Sequence, residues 1–340
     1  MVAVMRVLKP EEFKTFQQIC GLSQASLKKT LSAFLKSKYG KKNVIEEKEY
    51  LCAIGQIPIA LVAHMDTVFP KPAKDIFYDK EKNVIWSPSG LGADDRAGVF
   101  SILEIIKRGF LPHIIFTTDE EIGCVGGTIL SYEECPFKDL KYIIELDRRG
   151  TNDCVFYDCD NPDFTEYVSK FGFVEAIGSF SDISMICEGW GIAGVNLSIG
   201  YRDEHSVSET LYVNAMLSTI DKVCTMLSEK EIPYFKFIPS VYAYSYGSYD
   251  YGYHGSTKWY KPIMESHHDN THCWLCESEF KPEDMIPVKL RNRQTKPFCI
   301  DCIVDNVEWC GYCGEAYEPH ENDTTGLCYD CRKELGLVTY

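Results

Sequence analysis

The stretch Phe116–Gly123 reads FTTDEEIG. A strand-like run from His113 to Thr117 ends, and two adjacent glutamates, Glu120 and Glu121, come at once after it. Neighbouring carboxylates repel when they share a low-dielectric site, so an isolated pair of this kind is ordinarily a solvated loop. Here three other strand-like runs close in the same way, each delivering a metal-type side chain. The apolar run within 50–63, YLCAIGQIPIALVA, leads into His64-Met65-Asp66. Lys141 to Leu146 leads into Asp147, and 192–200, IAGVNLSIG, is followed by His205. Residues i and i+2 of a strand share a face, so His64 and Asp66 can point the same way, and a carboxylate behind an imidazole commonly steers it.

One more acidic position joins them. In SGLGADDRAGVFSILEIIKRG, Val99, Ile102, Leu103 and Ile106 form a helical stripe that Gly109 closes, with Asp94 and Asp95 at its start. Acidic residues there are also ordinary helix caps. The Gly90-x-Gly92 start does not make a dinucleotide site, because Asp95 stands where the third glycine belongs. Strands alternating with helices predict an α/β fold with a mostly parallel mixed sheet flanked by helices. Ligands in such sheets gather beyond the carboxyl ends of the strands, where every candidate lies. Two imidazoles and several carboxylates without cysteine suit zinc, cobalt or manganese, and six candidates match two metals sharing a carboxylate better than one.

Local signals set the remaining expectations. Pro10 opens a short helix to about Cys20, and Ser23 caps a second with Leu27, Leu31, Phe34 and Leu35 on one face. Residues 50–63 form a hairpin or two strands about Gly55-Gln56, and 76–89 a hairpin or loop. Asn161-Pro162 opens a helix that Gly172 closes. Ser181-Asp182 caps another, with Asp182 either a cap only or a neighbour of the site. Ser206 and Glu209 have capping-box spacing, which puts His205 at the entry of a long helix over 207–229. Arg148, Arg149, Tyr201 and Arg202 flank the expected site as candidates for holding a carboxylate.

The chain has 340 residues and a net charge of −15, which disfavours nonspecific nucleic-acid or anionic-membrane binding. No apolar run reaches the roughly 18 residues of a membrane helix. MVAVMRVLKPEEF lacks the apolar centre and cleavage site of a signal peptide, so a cytoplasmic location is expected. Of 16 cysteines, eight precede residue 225 and read as buried thiols. The other eight form the CxxC pairs Cys273/Cys276, Cys299/Cys302, Cys310/Cys313 and Cys328/Cys331. Two such pairs close a four-cysteine site, so two structural zincs are expected in a small zinc-ribbon, LIM or RING-like module, with sequential or crossed pairing left open. Acidic residues outnumber basic ones there, which favours a protein partner or plain structural capping over nucleic acid. The expected division is 1–235 for a catalytic domain, 236–265 for a Tyr/Gly/Ser-rich linker and 266–340 for the module.

The motifs AHMDTV, GLGADDRAGV, TTDEEIG, ELDRRG and SIGYRDEHSVSE occur in order over about 50–228. Together they resemble the di-zinc aminopeptidase and carboxypeptidase superfamily (the MH clan), and the first three are similar to those of peptidase T and its relatives. The resemblance implies a zinc exopeptidase fold and hydrolysis of a peptide or amide bond. It implies that His64 and Asp147 hold one metal, Glu121 and His205 the other, and that Asp94 bridges them. Asp66 then orients His64, and Glu120 is the general base. Only 57 residues separate Asp147 from His205, which leaves no room for the lid domain of peptidase T-type enzymes. An N-acyl amino acid amidohydrolase, and a non-catalytic protein of this fold that positions the zinc module on a partner, are the alternatives.

Overall fold

The computed structural model describes residues 6–240, then 271–272, 279–280, 285–289, 295–299, 308–310, 316–317, 327 and 332–333. By its contacts the chain divides into two units, Met1–Ser256 and Thr257–Tyr340.

The first unit begins with α1 (Pro10–Cys20) and α2 (Gln24–Tyr39), then β1 (Val44–Glu46), β2 (Tyr50–Ala53) and β3 (Ile57–His64). A hairpin of β4 (Phe77–Asp79) and β5 (Val84–Trp86) leads to α3 (Ala93–Lys107), β6 (Pro112–Thr117), α4 (Val125–Tyr132) and β7 (Tyr142–Arg148). β8 (Asp153–Val155), α5 (Pro162–Ser169), β9 (Val174–Glu175), α6 (Asp182–Trp190) and β10 (Gly194–Ser198) come next. The last elements are β11 (Tyr201–Arg202), β12 (Thr210–Tyr212) and α7 (Val213–Leu227).

Local chemistry explains several of these. Pro10 opens α1, where its missing N–H costs nothing. Ser23 Oγ accepts the Ser26 N–H at 3.3 Å to start α2, whose Leu27, Leu31 and Leu35 make one buried stripe. Asn161 Oδ1 caps α5 through the Phe164 N–H.

Eight strands form one sheet in the order β1-β2-β6-β3-β7-β10-β8-β9. β3 pairs in parallel with both β6 and β7, and β7 in parallel with β10. β2 and β3 are therefore two strands and not a hairpin, because β6 inserts between them, antiparallel to β2. From β3 the chain first steps to β6 on one side and then to β7 on the other. That reversal makes the carboxyl ends of β3 and β7 the topological switch point, where open α/β sheets hold ligands. Right-handed crossovers in opposite directions put their helices on opposite faces. Accordingly α3 packs with α1 and α7, while α4 packs with α6. Ile59, Leu61, Ile114 and Phe116 on β3 and β6 are fully buried, each contributing about 1.5–3 kcal/mol of transfer free energy. A second sheet, β11-β12-β5-β4, lies beside the first.

After α7 the chain returns to this unit. Phe235 and Phe237 are buried, and Lys236 and Pro239 bridge to Ile192 and Cys159. Residues 236–240 of the expected linker tract are thus docked on it, and 241–265 lie outside the described residues.

In the second unit Met285–Lys289 pairs antiparallel with Thr295–Cys299 and parallel with Ala316–Tyr317, which pairs with Glu308–Trp309. Val288, Phe298, Cys310 and Tyr317 are buried. Of the eight module cysteines, Cys299 and Cys310 are described; Cys273, Cys276, Cys302, Cys313, Cys328 and Cys331 lie outside the described residues.

Candidate active site

His64 ends β3, and the register places it level with Asp147 on β7, since Val62 pairs with Glu145 two residues earlier on each strand. The His64 Nε2 is 3.0 Å from Asp94 Oδ1 and 3.5 Å from Asp147 Oδ1. Across the cleft, His205 Nε2 is 3.0 Å from Glu121 Oε2 and 3.3 Å from Asp94 Oδ2. Two triads result, His64-Asp94-Asp147 and Asp94-Glu121-His205, with Asp94 common to both and donor atoms within 4.8 Å of one another in each.

The donor set fits divalent cations. Five side chains supply two imidazoles and three carboxylates, all but His205 largely buried. Glu121 Oε1 is buried without a hydrogen-bond partner in the protein, an orphan that a cation would satisfy. Imidazole nitrogen and carboxylate oxygen together suit zinc, cobalt or manganese.

Asp66 has a wider role than steering one imidazole. Its Oδ1 lies 3.3 Å from His64 Nδ1. The same carboxylate accepts the Glu120 and Glu121 N–H groups at 3.1 and 3.0 Å. One side chain thus fixes the end of β3 relative to the glutamate pair. Glu120 belongs to neither triad. Its Oε2 is 4.0 Å from His64 Nε2, and its Oε1 accepts the Cys124 thiol at 3.3 Å.

Other groups brace these. Asp95 is fully buried and accepts the Gly98 and His64 N–H groups. A Cβ at Gly98 would come within 2.3 Å of Leu146 O, so glycine is required where α3 crosses β7. The Asp94–Asp95 peptide bond is cis. Asn196 clamps Asp147, accepting its N–H and donating to its carbonyl, both at 2.9 Å. Ser181 Oγ donates to Glu145 Oε2 at 2.7 Å, while Asp182 is buried and accepts from Thr117 Oγ1 and the Gly127 N–H. Asp182 therefore begins α6 and also braces the end of β6.

The expected helix over 207–229 is corrected. His205 lies in the loop joining β11 to β12, with φ of 60°, and α7 starts only at Val213. Glu209 caps nothing of its own. Its buried carboxylate accepts three N–H groups from the start of α3, those of Gly92, Ala93 and Asp94, at 2.5, 3.0 and 3.0 Å. Three of the four flanking candidates for holding a carboxylate are engaged with the protein, and Arg148 is engaged in part, its Nε being buried without a partner. Tyr201 donates to Asp147 at 3.0 Å, Arg149 pairs with Glu204, Arg202 covers the Tyr212 ring, and Arg148 donates to Ile177 O. Sequence patterns missed Glu209, Glu145 and Asn196 as parts of the site. Glu145 and Asp147 share a strand face at i, i+2, a signal that was present.

The electrostatics are those of a carboxylate cluster that needs counter-charge. Burial, then repulsion from Asp147, Asp182 and Asp94 against the pull of His64, pushes Glu120 up to about 9. Burial and Asp94 raise Asp147 to about 7. Hydrogen bonds to Asp94 and Glu121 raise His205 to about 11. Burial opposes protonation of His64, but Asp147, Asp66 and Asp94 outweigh it and hold its pKa well above the ordinary value. The surrounding carboxylates thus favour the protonated imidazoles in the metal-free site, and a ligating nitrogen must lose its proton. Zinc binding is expected to release protons, with an apparent affinity that rises from pH 6 to pH 8. Calorimetry in buffers of different ionisation enthalpy reads this directly; proton-neutral, pH-independent binding would exclude these histidines as ligands.

No protein-family model matches the chain, and comparison with curated proteins finds no match. Solved structures do match. A TET aminopeptidase from a marine sediment archaeon (Thaumarchaeota) superposes with a TM-score of 0.54 at 13% identity, over 66% of this chain and 98% of its own. A tripeptidase from Staphylococcus aureus gives 0.51 at 15% identity, over 64% and 97%. Aminopeptidase PepT from Bacillus cereus gives 0.50 at 16% identity, over 64% and 97%. At these identities the likeness is one of fold: the α/β architecture with a mostly parallel mixed sheet is that of these peptidases.

Proposed function

We propose that the chain is a metal-dependent exopeptidase that hydrolyses a peptide or related amide bond. The observation that carries this is the pair of three-residue ligand sets sharing Asp94, with Glu120 beside both and bound to neither. The peptidase fold supports it. Of the alternatives, a purely binding role leaves the placement of Glu120 without a purpose.

His64 and Asp147 would hold one divalent cation, Glu121 and His205 the other, and Asp94 would touch both. When bound, the pair supplies Lewis-acid polarisation of the scissile carbonyl and a water acidified to near neutrality. Glu120 takes the proton from the attacking water at its carboxylate and returns it to the departing amine, acting as general base and then general acid. Asp66 keeps His64 and the backbone of Glu120 and Glu121 in place through that exchange. The two glutamates thus divide the work, one held in coordination and one free to carry a proton.

A panel of free dipeptides, tripeptides, aminoacyl amides and N-acyl amino acids, incubated with zinc-, cobalt- or manganese-loaded protein, tests the activity and separates amino-end from carboxyl-end cleavage. No turnover of any member in any metal form rejects the proposal. For the module, two structural zincs held by the four CxxC pairs complete the metal complement, and a protein partner suits its acidic composition better than nucleic acid. Elemental analysis is expected to find about four zincs per chain, two of them lost when Cys273, Cys276, Cys328 and Cys331 are replaced by serine, a set that breaks both sites under either pairing. A total of two removes either the paired active site or the module. Among the described residues, no helix is long and apolar enough to cross a membrane.

A further inference from the structure

A cavity of about 510 Å³ opens beside the metal ligands, between the start of α2, the loop after β3 and the start of α3. Asp66 and Glu121 form one side of it, so it adjoins the reaction centre. Its walls include Leu22, Val68, Phe69 and Leu91, and Arg96 also lines it.

Arg96 is 4% exposed, yet its guanidinium makes one hydrogen bond, from Nη1 to Ile19 O at 3.1 Å. Its Nε is buried with no partner, and among the described residues no carboxylate oxygen lies within ion-pair distance of it. A guanidinium carries five donors in a fixed fork, and a buried charge without a counter-ion is strongly unfavourable. Asp66 and Asp95 pull on it electrostatically without being within ion-pair distance. Both Asp66 oxygens are taken by the Glu120 and Glu121 N–H groups, Asp95 accepts from Gly98 and His64, and Asp119 accepts from Gln24 Nε2 at 2.8 Å. Among the charged groups lining the cavity, which include Lys71, Asp66, Asp119 and Glu121, Arg96 is the buried one with a donor that no protein group uses.

We propose that the cavity is a substrate subsite for a carboxylate, received by the fork of Arg96; this rests on the peptidase proposal above for the identity of the ligand as a peptide. A planar carboxylate is the group whose geometry the guanidinium matches in two parallel bonds. The carboxylate belongs either to an acidic side chain next to the scissile bond or to the free carboxyl end of a short peptide. The two sources are separable because each has an uncharged isostere.

The test uses the full-length, zinc-loaded protein. Glu-Ala is compared with Gln-Ala for the side-chain source, and Leu-Ala with Leu-Ala-amide for the terminal source. Hydrolysis is followed as kcat/KM in the unaltered protein, and binding is followed by calorimetry in Glu120→Ala. The acid member of one pair is expected to be preferred at least about tenfold, the scale of a hydrogen bond to a charged group. Arg96→Met is expected to abolish that preference, and Arg96→Lys, which keeps the charge and loses the fork, to reduce it. If Arg96→Met does not fold, the Arg96→Lys comparison and the ratios in the unaltered protein still decide. Equal use of acid and amide, a preference for apolar side chains, or no binding of any of the four overturns the subsite. So does an acid preference that survives in Arg96→Met, because it places the carboxylate on the cations. Acid-selective binding without hydrolysis keeps the subsite and rejects the peptidase proposal; hydrolysis without selectivity does the reverse.

Discussion

Glu120→Ala is expected to lower kcat/KM for a cleavable peptide by about 10²–10⁴-fold, the range of a lost general base, with the zinc content of the active site unchanged. The second half of that result separates proton transfer from ligation. Glu120 stands outside both ligand sets, so its loss leaves five donors in place. Glu121→Ala, one residue on, removes a donor and is expected to release metal as well as activity. The contrast arises from how the pair is held. Asp66 takes both backbone N–H groups, which fixes the two residues as a unit. Their side chains then diverge, Glu121 toward His205 and Glu120 toward His64 and Cys124. Elemental analysis and a peptide assay on the two variants suffice. Unchanged hydrolysis in metal-replete Glu120→Ala would remove the catalytic assignment.

The parts of this site that were legible in the sequence are those whose determinants are local. Continuous apolar runs mark strands buried on both faces, and the residues just after such a run fall at one end of the sheet. That places His64, Glu120, Glu121 and Asp147 without knowledge of strand order. Ser23 and Asn161 were legible as caps because a cap is a contact over three residues. The patterns could not convey which segments pair with which. Nothing in residues 50–63 reveals that β6, some fifty residues later, inserts between β2 and β3. Ser206 and Glu209 have the spacing of a capping box, but spacing is blind to a competing set of donors far along the chain. Asn196 lies within an ordinary apolar strand, and its grip on Asp147 exists only once β7 and β10 are paired. Arg149, Tyr201 and Arg202 spend their polar groups on protein partners, and Arg148 donates to Ile177 O while its Nε has none.

Glu209 is the residue for which that blindness matters most, and its replacement carries the second large effect. It is 1% exposed, and its carboxylate accepts three backbone N–H groups at the start of α3. These belong to the segment that leads into α3, where Asp94 and Asp95 have non-helical backbone angles, and the three N–H groups are bonded by Glu209. Glu209→Ala leaves all three buried donors unsatisfied, at about 1–3 kcal/mol each. A loss of roughly 3–5 kcal/mol is expected after partial hydration of the gap, near the upper end for a single substitution. Glu209→Gln keeps one acceptor oxygen but turns an amide N–H₂ toward a backbone donor, so an intermediate loss is expected. The same carboxylate ties the loop carrying His205 to the peptide of Asp94, which belongs to both ligand sets. Metal affinity should therefore fall with stability, and excess zinc should recover part of the lost stability to the extent that it binds the folded site more tightly than the unfolded chain. Denaturant unfolding with and without zinc measures both. A Glu209→Ala protein within about 0.5 kcal/mol of the original, binding zinc equally well, would show that Asp94 and His205 are held in register by other means.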